Sequence, residues 1–255
     1  IFTGSLRLDA PTMCPEKLPF VQLTLHKLCM HKVPIFSSLN QNDLIHIASV
    51  IHHKKYLKGE TLFFEGDRPD ALVIVNEGSV KAFKITQDGR EQILYVFSEG
   101  DFFGERNLFS RQASAYSVEA LEPVKTCFFT RKSFYGLLRA YPDIAVKIIE
   151  ELGERMNRME NALQSMGVRS VDERVSALLL DFAEKYGTSV PGGTLIRLPL
   201  SREGMANYLG IARETVSRKL GLLENEGIIR SNGNKSVLLL DRNMLESSAG
   251  KLIDH

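Results

Sequence analysis

Residues 199–222 read Pro-Leu-Ser-Arg-Glu-Gly-Met-Ala-Asn-Tyr-Leu-Gly-Ile-Ala-Arg-Glu-Thr-Val-Ser-Arg-Lys-Leu-Gly-Leu. The stretch predicts a helix, a tight turn at Gly210, and a second helix with a polar, basic outer face. Met205, Leu209, Ile211, Val216, Leu220 and Leu223 supply apolar positions at helical spacing. Arg213, Glu214, Ser217, Arg218 and Lys219 are placed on the opposite side. This is the layout of a helix-turn-helix whose second helix enters the major groove. Arginine can grip guanine through two parallel hydrogen bonds, and glutamate can accept from cytosine N4. Serine and lysine suit phosphates, so Ser201, Arg202 and Lys219 join the DNA-contacting set. An ordinary helical hairpin with a solvated charged face would share the pattern, but the next segment argues against it. Ile228–Ser231 and Ser236–Leu240 read as two short strands around Asn232-Gly233-Asn234, a strong hairpin signal. A hairpin after a recognition helix is a wing, and Lys235 near its tip could touch phosphate.

Upstream, the pattern changes twice. From about Lys54 to Phe129 glycines recur at Gly59, Gly66, Gly78, Gly89, Gly100 and Gly104. Between them lie short β-rich runs: 62–65, 72–75, 80–85, 91–97, 115–120 and 124–129. Such spacing predicts a small antiparallel barrel or roll, with Asp88-Gly89 as one hairpin turn. After Pro142 a long helix is expected. Its apolar positions Ile149, Leu152, Met156, Met159, Leu163 and Met166 are spaced 3, 4, 3, 4, 3, a heptad seam on a charged helix. The seam fits either a helix packed on its own domain or a parallel dimer helix; a dimer suits a helix-turn-helix protein that reads two half-sites. A helix over 172–186 opens the DNA-binding domain, with Gly192-Gly193 in the loop after it. Before the roll, 26–51 reads as short helices, with a cap signal at 39–44. The expected class is α+β: a sensor domain over 1–140 containing a double-stranded β-roll, a dimerisation helix over 141–170, and a winged helix-turn-helix over 171–255.

Bulk properties limit the partners. The 255 residues are 44% hydrophobic and 25% charged, with a formal net charge of +1. Any affinity for DNA must therefore come from locally arranged charge. No apolar run approaches the roughly 18–20 residues of a membrane span, and residues 1–10 hold no long apolar run, so neither membrane nor signal peptide is expected. Three cysteines without a secretory signal point to a reducing cytosol. No catalytic reading emerges. The roll has no histidine between Lys54 and Phe129, His52 and His53 would point to opposite faces of a strand, and there is no glycine-rich nucleotide loop, nucleophile elbow or paired-carboxylate site. A nucleotide-binding module serving another protein is a further possibility, opposed by the helix-turn-helix and wing.

In order, roll, dimer helix and winged helix-turn-helix resemble the CRP/FNR family of bacterial transcription regulators, with an FNR-like leaning. The resemblance runs from about Leu28 to Leu240. It is most specific at Arg213-Glu214-Thr215-Val216-Ser217-Arg218, which is similar both to Glu-x-x-Ser-Arg of FNR-like members and to Arg-Glu-x-x-x-Arg of CRP-like members. The resemblance implies that Glu214 and Arg218 read the central bases of each half-site, with Arg213 reading an additional guanine. It implies an inverted repeat of TGTGA type or, second, TTGAT type, RNA polymerase as a partner, and control by a population shift in the dimer.

The family's cyclic-nucleotide cassette is Gly-Glu followed by Arg-Ser or Arg-Thr, the arginine pairing with the cyclic phosphate. Gly104 and Glu105 match its start. Aligned without gaps, the arginine position holds Ser114, and Arg111 falls three residues early. The cassette reads as degenerate, and cyclic nucleotide is not expected. Cysteines are the other candidate sensor. Cys127 resembles the FNR cysteine near the end of the roll, and Cys29 the last cysteine of the FNR N-terminal cluster; Cys14 lies 15 residues before Cys29. FNR proteins carry three closely spaced N-terminal cysteines, whereas an iron–sulfur cluster here would need a fourth ligand. A reversible disulfide switch needs two cysteines, and a buried cysteine can be simply a small hydrophobe. Metal binding stays open. The expected signal is redox or oxygen; another effector or cyclic nucleotide in the roll, or constitutive activity, is the alternative.

Overall fold

The computed structural model describes residues 33–250 apart from 38, 49, 111 and 169; for 161–168 it describes the backbone alone. A short 3-10 turn, Pro34–Phe36, precedes α1 (Gln41–Ala48). Asn40 caps α1, its Oδ1 accepting from the amides of Asn42 and Asp43. Strands β1 (His52–Tyr56), β2 (Thr61–Phe63), β3 (Ala71–Glu77), β4 (Ser79–Ile85), β5 (Glu91–Ser98), β6 (Phe102–Phe103), β7 (Ser117–Ala120) and β8 (Val124–Thr130) form the roll. They pair antiparallel in two sheets of order β1-β8-β3-β6 and β2-β7-β4-β5. Every expected run appears as a strand. Strands β1 and β6 and the short helix α2 (Glu105–Ser110) are additional. His52-His53-Lys54-Lys55-Tyr56 lacks apolar alternation; it is a strand because β8 pairs with it along its length.

Two apolar clusters flank the sheets. Phe63, Val75, Val80, Ala82, Phe97, Phe103, Val118, Ala120 and Val124 fill the space between them. On the outer side, Leu72, Ile74, Cys127 and Phe129 pack with Val33, Ile35 and Phe36, with Leu44 and Ile47 of α1, and with Phe134 and Leu137 of α3 (Arg131–Ala140). Ile144 and Ile148 of α4 (Pro142–Val168) complete this cluster.

A 27-residue helix such as α4 spans roughly 40 Å. Its face is divided in a way the heptad reading did not separate. Ile144 and Ile148 are buried against the roll, and Leu152 packs against the same cluster. Leu152 is therefore not a free seam position: it follows Ile148 by one turn and continues the inward stripe. Ile149 and Met156 are 67% and 62% exposed, and Val146 and Met159 are exposed beside them. The side chains of Leu163 and Met166 lie outside the described residues.

Ser170 opens α5 (Val171–Tyr186) with a capping box: its hydroxyl accepts from the Glu173 amide, and the Glu173 carboxylate accepts from the Ser170 amide. The loop expected at Gly192-Gly193 is the turn of a hairpin, β9 (Gly187–Val190) and β10 (Gly193–Arg197). Next come α6 (Arg202–Leu209), α7 (Arg213–Asn225), β11 (Ile229–Asn232), β12 (Ser236–Leu239) and α8 (Arg242–Ser248). The wing strands β11 and β12 join the hairpin in one sheet, order β11-β12-β10-β9.

The winged helix packs on the roll through the β4–β5 hairpin. Ile93 of β5 is buried in the winged-helix core, with Phe83, Val96 and Leu121 against it. Gln92 Nε2 donates to the Tyr208 carbonyl at 3.3 Å, and Lys185 pairs with Asp101 at 2.6 Å. No helix among the described residues is long and apolar enough to cross a membrane.

Candidate nucleic-acid interface

Ser201 is the N-cap of α6, its hydroxyl accepting from the Gly204 amide at 3.1 Å. Gly210 ends α6 in the left-handed region, φ 65° and ψ 38°, where a side chain would be strained. This turn sends α7 across α6. Met205 and Ala206 of α6 and Val216, Leu220 and Leu223 of α7 are buried against Val175, Leu178, Leu179 and Phe182 of α5. Burial of that stripe leaves Arg213, Glu214 and Arg218 exposed on the other side of α7, with Ser217 half-buried and Arg202 half-buried at the start of α6.

Both exposed arginines have acidic neighbours from other helices. Arg218 Nη2 lies 3.5 Å from Asp172 Oδ1 of α5, and Arg213 Nε lies 3.9 Å from Glu203 Oε2 of α6. Neither acid stands out in the sequence, because only the packing of three helices brings them to α7.

Lys219 does not share the outer face. It is only 9% exposed, and its Nζ donates to Ser248 Oγ of α8 at 2.9 Å. Ser248 Oγ in turn shares a hydrogen bond with Ser176 Oγ of α5. Lys219 follows Val216 by three and precedes Leu223 by four, which is inner-face spacing. Its stem lies in the core and its ammonium ties three helices together.

The wing is held at a set angle. The Glu224 carboxylate, near the end of α7, accepts from the Ser231 amide at 2.9 Å and from its hydroxyl at 3.0 Å. These bonds hold the Glu224 carboxyl below the usual carboxylate range. Gly233 turns the hairpin with φ 68°, and Lys235 is exposed beside it.

In the roll, Gly104 has φ 90°, and a Cβ there would stand 2.5 Å from the Ala71 carbonyl oxygen. Only glycine fits. Glu105 follows, largely buried and 3.4 Å from Arg155 of α4. Burial pushes the Glu105 carboxyl up, and Arg155 partly offsets it. Arg155 also donates to the Phe102 carbonyl at 2.7 Å and lies over the Phe102 ring. Ser114 is buried, its hydroxyl donating to the Tyr116 carbonyl at 2.6 Å. The remaining space is aromatic: Phe63, Tyr95, Phe97, Phe103 and Tyr116 pack ring to ring.

Cys127 of β8 is buried, with its Sγ 3.3 Å from His53 Nδ1 across the strand pair. His52 turns to the other face and stacks on Phe128. Among the described residues no group of three or more His, Cys, Asp and Glu converges on a metal site. Cys14 and Cys29 lie outside the described residues.

A sensor-type roll joined by a long helix to an open winged helix-turn-helix defines a two-domain DNA-binding regulator. Known proteins agree. Residues 53–141 match the cyclic nucleotide-binding domain and residues 173–248 the Crp-like helix-turn-helix domain. The chain is 32% identical over 195 residues to the nitrogen fixation regulation protein FixK of Bradyrhizobium diazoefficiens, covering 76% of this chain and 81% of the relative. It is 29% identical over 215 residues to the CRP-like cAMP-activated global transcriptional regulator of Mycobacterium tuberculosis, covering 84% and 96%. The solved structure of FixK2 from Bradyrhizobium japonicum superposes with a TM-score of 0.70 at 26% identity, covering 81% of this chain and all of that one. The chain belongs to the CRP/FNR family of DNA-binding transcription regulators.

Proposed function

We propose that this regulator binds DNA as a homodimer, each α7 helix in one major groove of an inverted repeat of TGTGA or TTGAT type. Glu214, Arg218 and Arg213 read bases, while Ser201, Arg202, Ser217 and Lys235 contact phosphate or flanking edges. The observation that carries the reading is the outer face of α7: it is charged and open, while its inner face is fully committed to the core. The apolar stripe Val146, Ile149, Met156 and Met159 on α4 supports the dimer, because a second copy would take it out of water. RNA polymerase is the expected partner and the cytoplasm the expected location.

Control runs through the cysteines. Val33 lies in the same buried cluster as Cys127. Cys29 precedes Val33 by four residues, a span of at most roughly 14 Å. This nearness along the chain favours Cys29 as the partner of Cys127, and the His53 imidazole beside the Cys127 thiol can take up or return its proton. A disulfide or a shared cluster would alter the packing of α4 on the roll, and with it the spacing of the two α7 helices. The domain match and the cAMP-activated relative favour a second reading, cyclic nucleotide in the roll. The buried hydroxyl of Ser114, where that reading needs a cation, weighs against it.

The test is DNA binding by anaerobic and air-exposed protein, with iron and acid-labile sulfide assayed and cyclic AMP added in a parallel titration. Redox control predicts affinity that changes with oxidation in the parent and not in the Cys29→Ser/Cys127→Ser double variant. Iron and sulfide in stoichiometric amounts would assign a cluster; their absence would assign the thiol switch if affinity still changes with oxidation, and inert cysteines if it does not. Affinity that responds to cyclic AMP alone would overturn the redox reading.

A further inference from the structure

We propose that Asp172 is a positioning residue for DNA reading: it holds Arg218 in its reading orientation and bars phosphate from the start of α5. The inference rests on Arg218 being a base contact.

The Arg218–Asp172 pair is separated by 3.5 Å, with the two side chains 66% and 39% exposed. A pair so open to water contributes little to folding. Its consequence lies at the interface. Guanidinium offers five N–H donors, and a guanine edge takes two of them. One of the remaining donors can stay on Asp172 while the others read. An arginine tethered in this way has already lost part of its rotamer freedom before DNA arrives.

The second part concerns charge. A helix N-terminus beside a recognition helix is a natural seat for a backbone phosphate. Here the first turn of α5 carries Asp172 and Glu173, and the Ser170–Glu173 capping box takes the amides of Ser170 and Glu173. A phosphate would meet two carboxylates there. Non-specific binding depends almost wholly on phosphate contacts, so a carboxylate in the footprint penalises it more than it penalises a correctly docked site. Glu203 stands to Arg213 as Asp172 stands to Arg218, but at 3.9 Å.

The experiment compares the parent with Asp172→Asn, Asp172→Glu, Arg218→Ala and Asp172→Asn/Arg218→Ala by fluorescence anisotropy at fixed salt. Three duplexes are used: the site recovered from a random pool by the parent, a scrambled duplex of equal length, and the site with the Arg218-dependent base pair changed. Asp172→Asn should bind the scrambled duplex several-fold tighter and discriminate the changed base pair about fivefold less well. Asp172→Glu should recover most of that discrimination. The double variant should discriminate no worse than Arg218→Ala. Parental discrimination in Asp172→Asn, with discrimination lost in Arg218→Ala, would overturn the proposal and leave the reading of Arg218 standing. An Arg218→Ala protein with full base preference would overturn the reading and the proposal together.

Discussion

The roll and the winged helix treat their functional faces in opposite ways. In the winged helix Arg213, Glu214 and Arg218 are outside, on a helix whose opposite face, Lys219 included, is committed to the core. In the roll five aromatic rings pack on one another, Ser114 bonds the nearby Tyr116 carbonyl, and Glu105 is engaged by Arg155 of α4. The lesson is that one half of the chain leaves its charged side chains open to a partner, while the other packs Glu105 and Ser114 against their own neighbours. Glu105, which matches the start of a nucleotide cassette, here joins the roll to α4.

The largest effect should come from breaking the proposed contact between two copies of the chain. Ile149→Glu with Met156→Glu places charge on the exposed stripe of α4. Light scattering should report half the parental mass, and affinity for an inverted repeat should fall at least about 100-fold, because each half-site is then bound alone. A parental mass would show that the stripe is not the dimer face. Arg218→Ala should come next, costing about 1–3 kcal/mol per half-site and relaxing base preference. Its melting temperature should match the parent's, since the side chain is exposed.

Glu105→Gln probes the closed half. A carboxyl raised by burial favours the folded state when protonated. That contribution is present below the usual carboxylate range and is lost as pH rises through the raised value. At neutral pH the ionised group is therefore a burden, and Glu105→Gln should melt above the parent. The gap should close toward about pH 4, where the unfolded carboxyl also takes its proton. A Glu105→Gln protein that melts lower at neutral pH would mean that the Arg155 pair outweighs burial. The smallest effect on DNA binding should be that of Lys219→Ala: less than about twofold, with a lowered melting temperature as the tie to Ser248 is lost. A large loss of affinity at unchanged stability would return Lys219 to the interface.

How legible the molecule was in its sequence follows the range of the forces involved. Gly210 and the spacing of Met205, Val216, Leu220 and Leu223 are local signals, and the helix-turn-helix was readable from them. Asn232-Gly233 marked the wing equally well. Strand β1 was not readable, because its residues lack apolar alternation and β8 alone makes it a strand. Lys219 was misplaced because residue type was weighed above spacing: its position relative to Val216 and Leu223 is that of a core residue. On α4 the heptad pattern merged two stripes, one toward the roll and one toward solvent, and only the packed structure separates Leu152 from Ile149. The pairing of Arg218 with Asp172 had no sequence signal at all, since it depends on how α5 crosses α7.

The most direct test of the account is selection of duplexes from a random pool by the reduced parent protein, with no nucleotide added. The account predicts recovery of an inverted repeat whose half-sites lie about one helical turn apart, and loss of that enrichment with Arg218→Ala. Recovery of no repeat, or recovery only when a cyclic nucleotide is present, would contradict it.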